Sequence, residues 1–108
     1  RQDHPAALYD TAQRYLTGNG YEKDETSYVV HLREAARRNH AEAQKELGEY
    51  YLRTHKEPFE LHNALVWLLR AQRNGLEVSR QVLAAGQLLD DKHREWAYED
   101  AAEFDFSQ

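Results

Sequence analysis

The sequence predicts an all-α chain folded as a stack of paired helices. Three observations carry the prediction: a composition suited to a helix-rich globular domain, an internal period of 36 residues, and helix start and stop signals that recur within that period. The 108 residues are 41% hydrophobic and 31% charged, with two Pro and five Gly. These values exclude a disordered, collagenous or Pro-rich chain. At this length one domain is expected, spanning 1–108, with roughly two thirds of the unfolded surface available for burial.

At an offset of 36 residues, Ala12, Gly48 and Ala84 are all small, Leu16, Leu52 and Leu88 are identical, Ala7, Ala43 and Ser79 are small, and Thr11, Leu47 and Leu83 are medium-sized. The first two copies also share Tyr15 with Tyr51, Leu32 with Leu68, Ala35 with Ala71 and Arg37 with Arg73, while Asn39 falls on Gly75. A repeat of this length is the signature of stacked supersecondary units. The copies are placed at about 5–39, 40–75 and, in degenerate form, 76–104.

The first copy predicts a helix from about Pro5 to Leu16, a break at Gly18-Asn19-Gly20, and a second helix opened by Asp24 as N-cap and closed by Asn39. In the second copy Ala43, Leu47, Gly48 and Tyr51 form one apolar stripe at helical spacing. Leu61, Ala64, Leu65, Leu68 and Gln72 form another, widened by Trp67 and Ala71. Pro58 suits a first turn and Asn74-Gly75 a left-handed stop. The third copy predicts a helix from about Glu77 to Leu89, then Asp90-Asp91 and a short connection before Trp96. Trp96, Ala97, Ala101 and Phe104 share a helical face, which reads as a capping helix with an acidic outer side. The other reading of this tail is an acidic-aromatic segment that docks on a basic partner or folds back across the protein's own groove, with Phe106 as its contact.

Small residues at positions 12, 48 and 84 imply close approach of helix backbones. Gly48 costs about 1 kcal/mol in helix propensity relative to Ala, and tight packing must offset that cost. Each pair alone leaves apolar surface uncovered, so stacking is what stabilises the array.

The second copy, Ala43-xxx-Leu47-Gly48-xx-Tyr51 followed by Ala64-xx-Trp67-xxx-Ala71-xxx-Gly75, resembles a Sel1-like repeat, a relative of the tetratricopeptide repeat. The first copy is similar through Ala12-xx-Tyr15, Gly18-x-Gly20-Tyr21-xx-Asp24 and Ala35-Ala36-xx-Asn39. The departures are His31 where that family usually has Trp, Asn39 in place of the closing Gly, the loop Arg53 to Pro58 without a Gly-x-Gly turn, and Gln87 in place of Tyr. The resemblance covers roughly residues 5 to 89 and implies a right-handed α-solenoid of about two and a half repeats with a C-terminal capping helix. It further implies a protein-protein interaction module, an adaptor or scaffold, and leans slightly toward a bacterial envelope or periplasmic setting. The alternative is a compact helical accessory or regulatory domain of a larger enzyme or envelope assembly.

Composition narrows the chemistry. Residues 1–89 carry 12 basic and 12 acidic side chains, so the net charge of −5 resides in the last 19 residues. A nucleic-acid partner is not expected, because phosphate binding calls for a basic surplus. Without Cys there is no thiol chemistry, disulfide or Cys-based zinc site. His31 with Glu34 and His93 with Asp90 each offer only two ligands, so neither metal nor cofactor is expected. No nucleophile elbow or phosphate-cradling loop is present, and Ser27, Ser79 and Ser107 have no evident partner, so no catalytic residue is assigned. The longest apolar run, Ala64 to Leu69, is far short of the roughly 18 residues a membrane span needs. Beginning at Arg1 and lacking Met, the chain reads as processed or excised.

By resemblance to tetratricopeptide arrays, the first helix of each pair lines a concave groove. That assigns partner binding to Tyr9, Gln13, Glu42, Lys45, Glu49, Arg53 and Gln81, gripping a peptide or protein partner. The same residues read equally as a solvated face. Arg33, Arg37 and Arg38, with Arg70 and Arg73 one repeat later, form either a strip for carboxylate or phosphate or, the preferred reading, ordinary surface ion pairs with Glu34, Glu42 and other acids.

Overall fold

Helices begin and end at sequence signals in this computed structural model, which describes residues 4–103. Among these residues six helices follow one another: α1 (Pro5–Thr17), α2 (Glu25–Arg37), α3 (Ala41–Thr54), α4 (Pro58–Arg73), α5 (Ser79–Gln87) and α6 (Asp91–Glu103). Pro5 and Pro58 occupy first turns, where the missing N–H is no loss. Asp24 caps α2, its carboxylate accepting from the Thr26 and Ser27 backbone N–H groups. The loop before α4 lacks a glycine turn and is closed differently: the Glu60 carboxylate accepts from the backbone N–H groups of Lys56 at 2.7 Å and Glu57 at 3.0 Å.

The equivalence of Asn39 and Gly75 holds at the level of the backbone. Both residues are left-handed, at φ 68° and 97°. Each terminates its helix with the same paired bonds: Asn39 N–H to Ala36 and His40 N–H to Ala35 after α2, Gly75 N–H to Gln72 and Leu76 N–H to Ala71 after α4. A buried amide joins the two stops. Gln44, fully buried, donates to the Ala36 carbonyl and accepts from Asn74, which also donates to the Asn39 side chain at 2.7 Å.

Two apolar clusters meet at α4. One gathers Ala12, Tyr28, Leu32, Ala35, Ala36, Ala43 and Leu47 from α1, α2 and α3, with Trp67 of α4 against it. The other gathers Leu61, Leu65, Leu68 and Leu69 of α4 with Val78, Ala85, Leu89, Ala97 and Ala101. The Ala64 to Leu69 run is accordingly apolar because α3, α5 and α6 all pack on α4. Gln72, expected on its buried stripe, is exposed. Gly48 is the closest approach: a Cβ there would lie 2.6 Å from Leu68 Cγ and 3.1 Å from the Ala64 carbonyl oxygen.

The third copy departs from the expected register. N-caps His4 and His40 stand 36 residues apart, but Val78, which caps α5, follows His40 by 38. The two extra residues lie in the α4–α5 connection, 74–78, against 38–40 between α2 and α3. Ala85, Gly86 and Leu89 therefore take the buried positions. Leu83 and Leu88, expected in apolar columns, are 61% and 55% exposed, and Ala84 is half-buried. In the first copy Ala7 and Leu16 also face outward. Nor do α5 and α6 close on each other as α1 with α2 and α3 with α4 do; both lie on α4.

α6 runs in the same direction as α4 and buries only Ala97 and Ala101. Trp96, expected on the covered face, is 55% exposed, resting on the His62 ring at 4.9 Å. Phe104 and Phe106 lie outside the described residues. Helices in this arrangement span 43 × 30 × 21 Å. No helix among the described residues is long and apolar enough to cross a membrane.

Candidate functional site

Side chains of α1, α3 and α5 bond across one another and so define a common face. Glu46 of α3 is its hub. Its carboxylate accepts from Tyr9 Oη at 2.8 Å, Gln13 Nε2 at 2.8 Å and Tyr28 Oη at 2.6 Å. Tyr9 also stacks on His40, with ring centroids 4.8 Å apart. Burial, then the adjacent Glu46 carboxylate, pushes the Tyr9 and Tyr28 hydroxyls well above the ordinary tyrosine range. Farther along, Gln81 Nε2 donates to Glu49 at 2.9 Å, linking α5 to α3.

Four of the seven residues assigned to the groove, Tyr9, Gln13, Glu49 and Gln81, are thus engaged in holding one helix to the next. Glu42 is exposed and Lys45 half-buried, neither with an ionic partner among the described residues. Arg53 is exposed, its guanidinium 5.6 Å from the centre of the Tyr50 ring. It stands at the mouth of a cleft of about 400 Å³ where the C-terminal end of α3 faces the α1–α2 connection.

Three tyrosines from three helices, Tyr15, Tyr28 and Tyr50, line that cleft with Leu16. Tyr28 and Tyr50 meet edge to face at 6.2 Å, and Tyr15 stacks between Tyr21 at 4.6 Å and His31 at 5.3 Å. Thr54, two acids and two bases complete the lining, and the acids are already engaged: Asp24 caps α2, and Glu25 accepts from Tyr50 Oη at 2.8 Å. Hydrogen bonds from Ser27 hold the Asp24 carboxyl below the usual range. Lys23 and Arg53 form no ion pair among the described residues, so the cleft presents two cations without a direct acidic partner beside aromatic walls, with the two carboxylates held by neutral donors.

Three arginines of the strip, Arg33, Arg70 and Arg73, make contacts within the fold. Arg70 donates to the Asp100 carbonyl at 3.4 Å and covers Trp67 at 4.8 Å; burial brings its guanidinium down to about 10. Arg73 donates to the carbonyls of Ala101 at 3.2 Å and Ala102 at 3.5 Å, completing the last turn of α6 as a cation at a helix C-terminus should. Arg33 reaches Tyr51 Oη at 3.3 Å. A further clamp joins His62, 9% exposed, to Asp100 at 2.7 Å. The His93–Asp90 pair, weighed as two metal ligands, belongs to the start of α6: Asp90 accepts from the His93 backbone N–H at 2.8 Å and bonds its ring at 2.7 Å.

Sequence reading located Arg53 but missed Lys23, Tyr28, Tyr50 and Glu46. Tyr50 lies one residue from the Tyr15/Tyr51 column, and Glu46 one residue before the buried Leu47. Adjacent residues on a helix point about 100° apart, so a column search alone passes over both.

The chain matches no family model, and neither the curated proteins nor the solved structures hold a significant match to it. The Sel1-like resemblance rests on the residues quoted for it above.

Proposed function

We propose that this chain is a non-catalytic protein-interaction module, an adaptor of the Sel1-like kind, and that it holds an acidic segment of a partner protein in the tyrosine cleft. The observation that carries this reading is the pair of cations without a direct acidic partner, Lys23 and Arg53, beside Tyr15, Tyr28 and Tyr50. A carboxylate of the partner meets the cations, and a neighbouring apolar or aromatic side chain lies on the rings. Rigid aromatic walls with a peripheral Arg are the residue types that concentrate binding energy at interfaces. From the cleft the partner runs along α3, where Glu42 and Lys45 offer polar contacts, while Tyr9, Gln13, Glu49 and Gln81 hold the face in shape.

The test is selection of short peptides from a random displayed library on the wild-type chain. Enriched sequences place Asp or Glu next to an aromatic or aliphatic residue. Binding of these peptides falls at least tenfold with Arg53→Glu, without change in the melting temperature, and with Tyr50→Ala, assayed well below that variant's own melting temperature. Selection of the same peptides by both variants sinks the proposal.

The accessory-domain reading draws on a different observation, the docking of α6 along α4 in place of pairing with α5. Such a contact closes the end of a stack, as a small helical domain attached to a larger protein requires. Loss of peptide selection together with tight association to a fused or neighbouring catalytic domain would favour it.

A further inference from the structure

The third helical pair leaves open what the earlier pairs close. α3 packs on α2 and is tied to α1 through Glu46; α5 packs on α4 and is tied to α3 through Gln81. Between α5 and α6 there is instead a groove of about 260 Å³ lined by Val82, Leu83, Gly86, Gln87 and Tyr98, with Arg94 packed on Gly86. Leu83 is 61% and Tyr98 48% exposed, so both leave apolar surface uncovered beside the groove.

Charge on its rim is one-sided. Arg94, Tyr98 and Ala102 form one row along α6 at spacings of four, and Asp91, Glu95, Glu99 and Glu103 form the adjacent outer row. Arg94 is committed within the protein, donating to the carbonyls of Gly86 and Leu89 at 2.9 Å and to Asp91 at 2.8 Å. Glu95, Glu99 and Glu103 have no cationic partner among the described residues. Like charges four apart on a helix repel one another, so this row is an uncompensated feature of the isolated chain. The α5 side of the groove, Val82, Leu83, Gly86 and Gln87, carries no charge.

We propose that the α5/α6 groove is the docking site of a basic amphipathic helix from a partner protein. Its apolar stripe fills the space between Leu83 and Tyr98, and its Lys or Arg residues meet Glu95, Glu99 and Glu103. A helix laid in an apolar groove is an established recognition mode, and here the acidic row sets the sign of the partner. A second copy of this chain is disfavoured as occupant, because pairing would bring two acidic rims together. This surface is separate from the tyrosine cleft and does not depend on it.

An 18-residue peptide with Leu at helical i, i+3, i+4 spacing and Lys elsewhere serves as probe, titrated by fluorescence anisotropy into the full chain. The controls are a scrambled Leu/Lys order and the same stripe with Glu in place of Lys. The patterned Lys peptide is expected to bind at least tenfold tighter than the scrambled one, and the Glu peptide not measurably. Leu83→Asp, at an exposed position, weakens binding at least tenfold. Glu95→Lys with Glu99→Lys weakens it at least fivefold and flattens its salt dependence, whereas the remote reversals Asp10→Lys and Glu22→Lys leave it unchanged. Equal binding of the scrambled peptide, indifference to Leu83→Asp, or equal sensitivity to the remote reversals overturns the proposal. So does a dimer seen by light scattering that Leu83→Asp dissolves while the patterned peptide fails to bind.

Discussion

On one side of α4, helices α1, α2 and α3 meet through fully buried Leu32 and Leu47, four buried alanines and a carboxylate that gathers three donors. On the other side, α6 brings only Ala97 and Ala101 to the core and is held by polar clamps: Arg70 and Arg73 on its C-terminal carbonyls, His62 on Asp100, and Arg94 on the carbonyls of Gly86 and Leu89. The difference follows the repeat. Where the 36-residue period holds, side chains at equivalent positions interleave; the two residues added to the connection 74–78 start α5 two positions late, so Ala85, Gly86 and Leu89 take the buried places, and α5 and α6 both lie on α4. Backbone carbonyls then supply the contacts that apolar side chains no longer make.

The sharpest way to break this contrast is at Glu46. Glu46→Ala leaves the Tyr9 and Tyr28 hydroxyls and the Gln13 amide without their acceptor, and unsatisfied donors of this kind are costly. A loss of about 2–4 kcal/mol is expected in urea unfolding, with α1 detaching first as read by hydrogen exchange. A cost no larger than that of Arg73→Gln would erase the distinction between the two sides.

Two glycines compare the sides directly. Gly48→Ala gains helix propensity but drives a methyl group into Leu68 and the Ala64 carbonyl, both within the core. Overpacking there should outweigh the gain and give a net loss of about 1–2 kcal/mol. Gly86→Ala meets only Arg94 at 3.7 Å, an ordinary contact, and should leave stability unchanged or raise it by up to about 1 kcal/mol. Thermal melts of the two variants are expected to move in opposite directions.

Arg73→Gln removes donors from the last turn of α6. About 1 kcal/mol is at stake, and the loss should be local: faster amide exchange across α6, with protection in α1, α2 and α3 unaltered.

The smallest effects are those of pH. Tyr9 and Tyr28 hold their protons more tightly folded than unfolded. Their contribution is therefore complete below the ordinary tyrosine value of about 10 and is lost as pH rises from there. Alkaline melting should begin on the α1–α3 side and start later in Tyr28→Phe. Backbone and side-chain donors hold Asp24, Glu60 and Asp90 below the ordinary carboxylate range, so their contributions are present above about pH 4 and fade as pH falls further. Circular dichroism from pH 2 to 11 reads both limbs.

Local sequence was enough to place α1, α2 and α4, whereas α6 begins at Asp91, inside the stretch expected to be a connection before Trp96. Pro5, Asp24, Pro58, Asn39 and Gly75 mark starts and stops through their own backbone preferences, which depend on few neighbours, and each takes the position expected of it. Gly48 was legible as a close approach for the same reason: a residue that weakens a helix is tolerated where space is short. What the tertiary structure alone decided was which side chains, distant along the chain, would meet. Glu46 beneath two tyrosines, His62 against Asp100, the shifted register of α5 and the cations of the tyrosine cleft arise from how helices sit on one another. That arrangement responds to a two-residue change in one connection, a change that the columns at Ala84 and Leu88 conceal because a small residue and a Leu recur there although the buried places have moved to Ala85, Gly86 and Leu89.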